Sequence, residues 1–231
     1  MEIGEIVSDS IKYPSSDWTK IIIFAVILLI PIVNFIGLGY VLRIIKATVA
    51  GIDDLPDFDE VGDMFIDGLK VFVVGIVYAI PIWIIATIIG LILGAIFPAT
   101  TTYYTGTDAT ALIGGMIASY AVVFIVALII GLIEIMAIVN MAYYDSELGA
   151  AFRFSDILNY ISTIGWGKYI IVYIIIALIG AVIGIVAMFV GLLLLFVGVF
   201  ITMPLAMSYL YMFGTRAIAL LFTDALTEAP A

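Results

Sequence analysis

One glutamate, Glu134, stands in a long apolar run, with about three turns of uncharged residues on either side. A charged carboxylate at the centre of a bilayer costs about 2.5–3.5 kcal/mol on insertion scales. Glu134 must therefore be neutralised, paired or wet. Asn34 interrupts another apolar stretch, and Tyr78 and Thr87 are hydroxyl donors in a third. If the stretch around Asn34 enters the membrane only to half depth, Asn34 and Glu134 reach similar depths. Glu134, Asn34 and Tyr78 then form a candidate intramembrane polar site. Two readings stay open: a proton or ion site, and a hydrogen-bonded strut. An ion pair with Arg43 is the charged variant of the second.

The other concentration of reactive groups is residues 53–67, which hold seven acids. Asp57, Asp59 and Gly62 match positions 1, 3 and 6 of a calcium-binding loop, but Val61 and Gly68 occupy positions 5 and 12, where ligands are required. No metal site is expected. Asp57, Asp59, Glu60, Asp63 and Asp67 read instead as a solvated acidic face able to dock a basic partner. The chain contains no His and no Cys, which excludes thiolate and imidazole chemistry. It also lacks GxGxxG, GxxxxGK[ST] and GxSxG motifs. No catalytic residue and no cofactor are expected. A lipid-modifying enzyme using Mg²⁺ on the acidic loop is the remaining enzymatic alternative.

The elements that carry these residues follow from composition. Of 231 residues, 65% are hydrophobic and 11% charged, with mean hydropathy +1.33. A soluble domain has about 25% charged residues, so this chain is read as a polytopic, all-α membrane protein. A formal charge of −10 makes nucleic acid a poor partner. Three apolar stretches are long enough to cross: 71–97, 111–142 and 169–213. The last, 45 residues long, must fold back once to give two helices. Gly191 or Gly198 is the expected turn residue. A fourth stretch, 21–42, is broken by Pro31, Asn34, Gly37 and Gly39. It reads as a re-entrant hairpin, with a fifth span as the alternative. The hairpin places all eight basic residues on the cytoplasmic side, as the positive-inside rule favours, with sixteen of the eighteen acids.

The expected plan is one integral membrane domain over residues 1–231. It comprises an interfacial helix at 1–13, the hairpin at 18–46, an acidic amphipathic helix at 53–69 and a hairpin at 70–145. A second interfacial helix follows at 152–164, then a hairpin at 168–215 and a tail at 216–231. Met1 to Tyr13 lacks the basic start of a secretory signal, and Ile3, Val7 and Ile11 give it one apolar face. Similar starts at Asp17-Trp18-Thr19-Lys20, Asp67-Gly68-Leu69-Lys70 and Gly165-Trp166-Gly167-Lys168 suggest three related hairpins. Gly90-xxx-Gly94 and Gly180-xxx-Gly184 are expected to pack helices together within the chain. The protein is placed in the cell membrane, multi-pass, with both termini cytoplasmic.

Ile30-Pro31-Ile32-Val33-Asn34-Phe35-Ile36, Gly39-Tyr40, Leu55-Pro56 and Phe65-Ile66-Asp67-Gly68-Leu69-Lys70 recur in an order that resembles a known family. Tyr78-xx-Pro81 and Gly165-Trp166-Gly167-Lys168-Tyr169 extend the likeness. The family is an archaeal, largely methanogen-associated group of membrane proteins with a domain of unknown function. The resemblance implies a small polytopic protein of the cell membrane and no activity, ligand or catalytic residue. The functional expectation is a non-enzymatic accessory or scaffold protein, or a subunit of a membrane complex. Its partners would be the lipid bilayer and another subunit or a basic cytoplasmic protein. The alternative is a small-solute or ion carrier using Glu134 and Asn34.

Overall fold

The computed structural model describes residues 1–96, 106–194 and 196–228. Among the described residues the fold consists of eight α-helices and two short 3-10 helices, Pro14–Ser16 and Leu148–Phe152, with no strand. The α-helices are α1 (Ile3–Lys12), α2 (Trp18–Leu29), α3 (Asn34–Val49), α4 (Val61–Ile96), α5 (Gly106–Tyr143), α6 (Phe154–Ile164), α7 (Trp166–Leu193) and α8 (Val199–Glu228). Four helices, α4, α5, α7 and α8, are long and apolar enough to cross a membrane. At 1.5 Å per residue, the 36 residues of α4 extend about 54 Å, well beyond a hydrocarbon core of about 30 Å.

The chain divides into two compact units. The larger comprises residues 1–72 and 136–231, the smaller residues 73–135. Helices α4 and α5 each contribute residues to both. In the larger unit α8 is the hub, packing against α1, α2, α3, α6 and α7. Some 61% of its most apolar window is buried, against 6–17% for the other three long helices. Three spans thus present most of their surface outward, while the fourth organises the core.

Helices α2 and α3 turn back on each other. Asp17 starts α2 by accepting from the Thr19 and Lys20 backbone N–H groups at 2.9 and 3.3 Å. The helix stops at Ile30, whose backbone is extended (φ −108°, ψ 111°), as expected for a residue before proline. After Pro31 the chain restarts at Asn34. The Phe24 and Tyr40 rings then meet edge to face with centroids 5.3 Å apart, packing α3 against α2. The returning leg crosses α4 closely. A Cβ on Gly39 would lie 1.9 Å from the Met64 carbonyl oxygen, and one on Gly68 would lie 1.7 Å from that of Phe35. Only glycine fits at either position, because the opposing atoms are backbone.

Residues 53–60 are not helical; the helix begins at Val61. Pro56 interrupts the segment, and burial of Leu55 and stacking of Phe58 on Tyr40, with centroids 4.0 Å apart, hold it as a strap over the α2–α3 pair. The buried face at the start of α4 is Met64, Gly68 and Val71, while Val61 and Leu69 are exposed. Residues 216–228 are not a separate tail element but the continuation of α8. Between α7 and α8 the left-handed residue is Phe196 (φ 63°), not a glycine. Gly191 and Gly198 serve close approach: a Cβ on Gly198 would sit 2.7 Å from the Gly191 carbonyl oxygen. Gly180 lies in ordinary contact distance of Leu210, as expected for internal packing. Gly90, Gly94 and Gly184 do not conform, because an added Cβ there meets open space.

Candidate functional site

The charged side chains of the larger unit form a layer of separate ion-pair groups. Four of the five acids of the candidate docking face are taken up inside it. Asp57 pairs with Lys20 at 2.8 Å. Arg43 holds both Asp59 and Glu60, the latter at 3.0 Å. Asp67 accepts from Lys70 at 2.9 Å and from the Ser146 hydroxyl at 2.7 Å, with Lys46 at 3.8 Å. Asp63 alone of the five is exposed without an ion pair among the described residues. Arg43 also donates to the Asp57 carbonyl and Lys20 to that of Leu55, so both legs of the α2–α3 pair grip one strap.

Lys46 reaches past Asp67 to Asp145 at 2.8 Å, tying α3 to the turn that ends α5. Asp145 and Ser146 both adopt left-handed backbone (φ 51° and 61°), although neither is glycine. Such conformations cost on the order of 1–3 kcal/mol and persist where surrounding contacts enforce them. Here those contacts are Lys46 and Asp67. The hydrogen bonds from Lys20 to Asp57 and from Lys46 to Asp145 hold both exposed carboxyls below the usual carboxylate range.

The deepest charge in the layer is Arg216, only 3% exposed. Its guanidinium donates to Asp9 at 2.9 Å, Asp53 at 2.6 Å, the Ile52 carbonyl at 2.9 Å and the Thr48 hydroxyl at 3.3 Å. Its centre lies 4.7 Å over the Tyr13 ring. Burial pushes the Tyr13 phenol up to about 12, with the Arg216 charge pulling the other way. One residue of α8 thereby joins α1, α3 and the strap. Sequence reasoning treated Arg216 only as a boundary marker. The available signal was the uninterrupted apolar run of six residues, 217–222, directly after it: an arginine placed so must find acids elsewhere in the chain.

The intramembrane candidates are distributed between the units. Glu134 and Tyr78 belong to the smaller one, where Tyr78 lies within electrostatic reach of the carboxylate. Gly75 faces Glu134 directly, and its missing Cβ would lie 3.5 Å from Oε1. The Thr87 hydroxyl donates within its own helix, to the Trp83 carbonyl at 2.7 Å. Asn34 belongs to the larger unit, at the first turn of α3. Its Oδ1 is buried and has no hydrogen-bond partner among the described residues. Arg43, the suggested ionic partner of Glu134, is committed to Asp59 and Glu60.

Lined by α3, the strap, α4 and the α5 turn is an open cleft of about 680 Å³. A smaller hollow of about 260 Å³ adjoins it and shares Lys46, Ala50 and Asp145. Among the described residues no three acids stand close enough together to hold a metal ion.

A family model described as "Protein of unknown function (DUF4013)" matches residues 22–192, and the chain belongs to that family. The match covers α2 to α7, including the strap and the acidic candidates, and stops short of Arg216. No curated protein and no solved structure matches the chain.

Proposed function

We propose that this family member is a non-catalytic accessory or scaffold subunit of a membrane complex. The observation that carries the reading is the open face of α4 at Gly90 and Gly94, where added side chains would meet nothing. Small residues in lipid serve chiefly to let a second helix approach closely. The spans α4, α5 and α7 also leave broad apolar faces available to a partner. The charged layer supports the same reading, because most of its ion pairs join different segments of the chain. Seven of the eight basic residues are in ion pairs, Lys12 being the exception among the described residues.

The α2–α3 pair, in this reading, dips into the membrane and returns, leaving both termini and the charged layer on the cytoplasmic side of the cell membrane. Lys20 and Arg43 meeting on one strap support that topology. Native electrophoresis of tagged protein from mildly solubilised membranes tests the subunit role. Migration in an assembly larger than the monomer is expected, and bulky Gly90→Leu and Gly94→Leu substitutions should release the monomer. Migration as a monomer in every mild detergent overturns the role. Topology is tested separately by cysteine labelling, since no native thiol competes. A thiol at position 5 reached by an impermeant reagent from outside intact cells would refute the dip.

A second reading, a small-solute or ion carrier, is favoured by one observation: the unpartnered Asn34 Oδ1 in a broken apolar segment. Broken helices commonly mark transporter sites. Solute-driven ion uptake in vesicles, abolished by Asn34→Leu, is the outcome it requires.

A further inference from the structure

The open cleft of the larger unit has the chemistry of a ligand site rather than of a gap between helices. It carries charges of both signs on an apolar floor. Lys46 and Lys70 line it together with Asp63, Asp67 and Asp145, Lys46 and Asp145 being paired at 2.8 Å, and Ile66 is an exposed apolar contact. Both lysines keep about a third of the side chain exposed. An ammonium has three N–H donors. Lys70 has one acceptor at 2.9 Å, and Lys46 has one at 2.8 Å and a second at 3.8 Å. Each therefore retains donor capacity toward an anionic oxygen. Asp63 has no ion pair among the described residues, and the Asp145 side chain is 98% exposed apart from Lys46. The last turn of α3, at Ala47 and Ala50, adds the negative end of a helix to the same wall.

We propose that this cleft binds a phosphate ester carrying a primary amine, the headgroup chemistry of an aminophospholipid. The phosphate lies against Lys46 and Lys70, and the ammonium against Asp63 and Asp145. A volume of about 680 Å³ falls within the range of about 300–1,000 Å³ common for small-ligand sites. A phosphate alone would meet an excess of acids, and an amine alone would meet the lysines. A zwitterion satisfies both. The location suits a lipid: no charged residue follows Lys70 in the rest of α4, and Asp145 comes two residues after α5 ends. Two apolar helices thus enter the membrane directly beside the cleft, and acyl chains have a surface to follow. A quaternary amine lacks the N–H groups that would bond to the two acids, so choline lipids are disfavoured.

The test is native mass spectrometry of the full chain taken from vesicles with equal parts phosphatidylethanolamine, phosphatidylcholine and phosphatidylglycerol. Retention of phosphatidylethanolamine about tenfold over the other two is expected, the size of one charge-assisted hydrogen bond. Asp63→Asn should remove the preference over phosphatidylcholine while leaving the melting temperature unchanged. Lys70→Gln should weaken retention of all three lipids. Equal retention by the wild-type chain overturns the proposal, as does a preference that survives Asp63→Asn. Soluble glycerophosphoethanolamine separates the sources: displacement of bound lipid identifies the free ester as sufficient, and no displacement shows that the lipid is required.

Discussion

Arg216 and Glu134 each interrupt a long apolar helix, and the protein treats them in opposite ways. Arg216 is almost fully buried and meets two carboxylates, a carbonyl, a hydroxyl and an aromatic ring. Glu134 is only half-buried, beside a glycine and within reach of one tyrosine. The first is an internal clamp whose partners come from three other segments. The second is a polar point on an otherwise apolar helix. The contrast separates a charge used to hold a fold from a polar group left half-buried on an apolar helix.

Breaking the clamp should give the largest effect. Arg216→Met removes a buried cation and its hydrogen bonds, but Asp9 and Asp53 stay 43% and 85% exposed, so the loss is that of hydrogen bonds to a charged group, about 1.5–3 kcal/mol. Thermal unfolding in detergent should show a sharply lowered midpoint, with early proteolysis in α1. Adding Asp9→Asn and Asp53→Asn should restore part of the loss; an unchanged midpoint in Arg216→Met would remove the clamp from the account.

The glycines draw the same contrast in packing terms. Gly68→Ala forces a Cβ against the Phe35 backbone oxygen, and overpacking of this kind costs about 1–3 kcal/mol or more. Gly90→Ala meets open space and should leave the melting midpoint of the isolated protein where it was. Equal destabilisation by the two would contradict the close α3–α4 crossing. Next in size is Glu134→Gln, expected to shift stability by no more than about 0.5 kcal/mol, as for a site without a partner it must neutralise. Severe destabilisation by Gln would reveal an ion pair and erase the contrast with Arg216.

The smallest effect is that of pH. Asp57 and Asp145 have folded-state values below the ordinary carboxylate range. Their contribution is complete above about pH 4, where the unfolded chain also ionises, and fades as pH falls through the lower folded values. Melting midpoints should be flat from neutral pH down to about 5 and then fall, with a shallower fall in Asp57→Asn and Asp145→Asn.

Much of the architecture was legible in the sequence because hydrophobic runs in lipid are long and unambiguous. The break at Pro31 and the amphipathic α1 and α6 follow from single-residue chemistry and periodicity. The strap at 53–60 was misread as helix because its acids and aromatics fit helical spacing equally well. What decides its shape is non-local: Phe58 lands on Tyr40, and Asp57 and Asp59 meet Lys20 and Arg43. The apolar run after Arg216 signals that it needs acids, but which acids is hidden for the same reason, since they lie far away in the chain. Asp57, Asp59, Glu60 and Asp67 were recognised as a group, but sequence alone does not say that their counterions are already present.

The link between Asp9 and Arg216 spans 207 positions. At synthesis rates of about 5–20 residues per second, Asp9 and Asp53 emerge tens of seconds before their cation does. Until α8 arrives, Asp9 and Asp53 lack the cation that ties the first helix to the strap. Assembly therefore closes from its last helix backwards, and a chain released before residue 216 would leave its beginning unfastened.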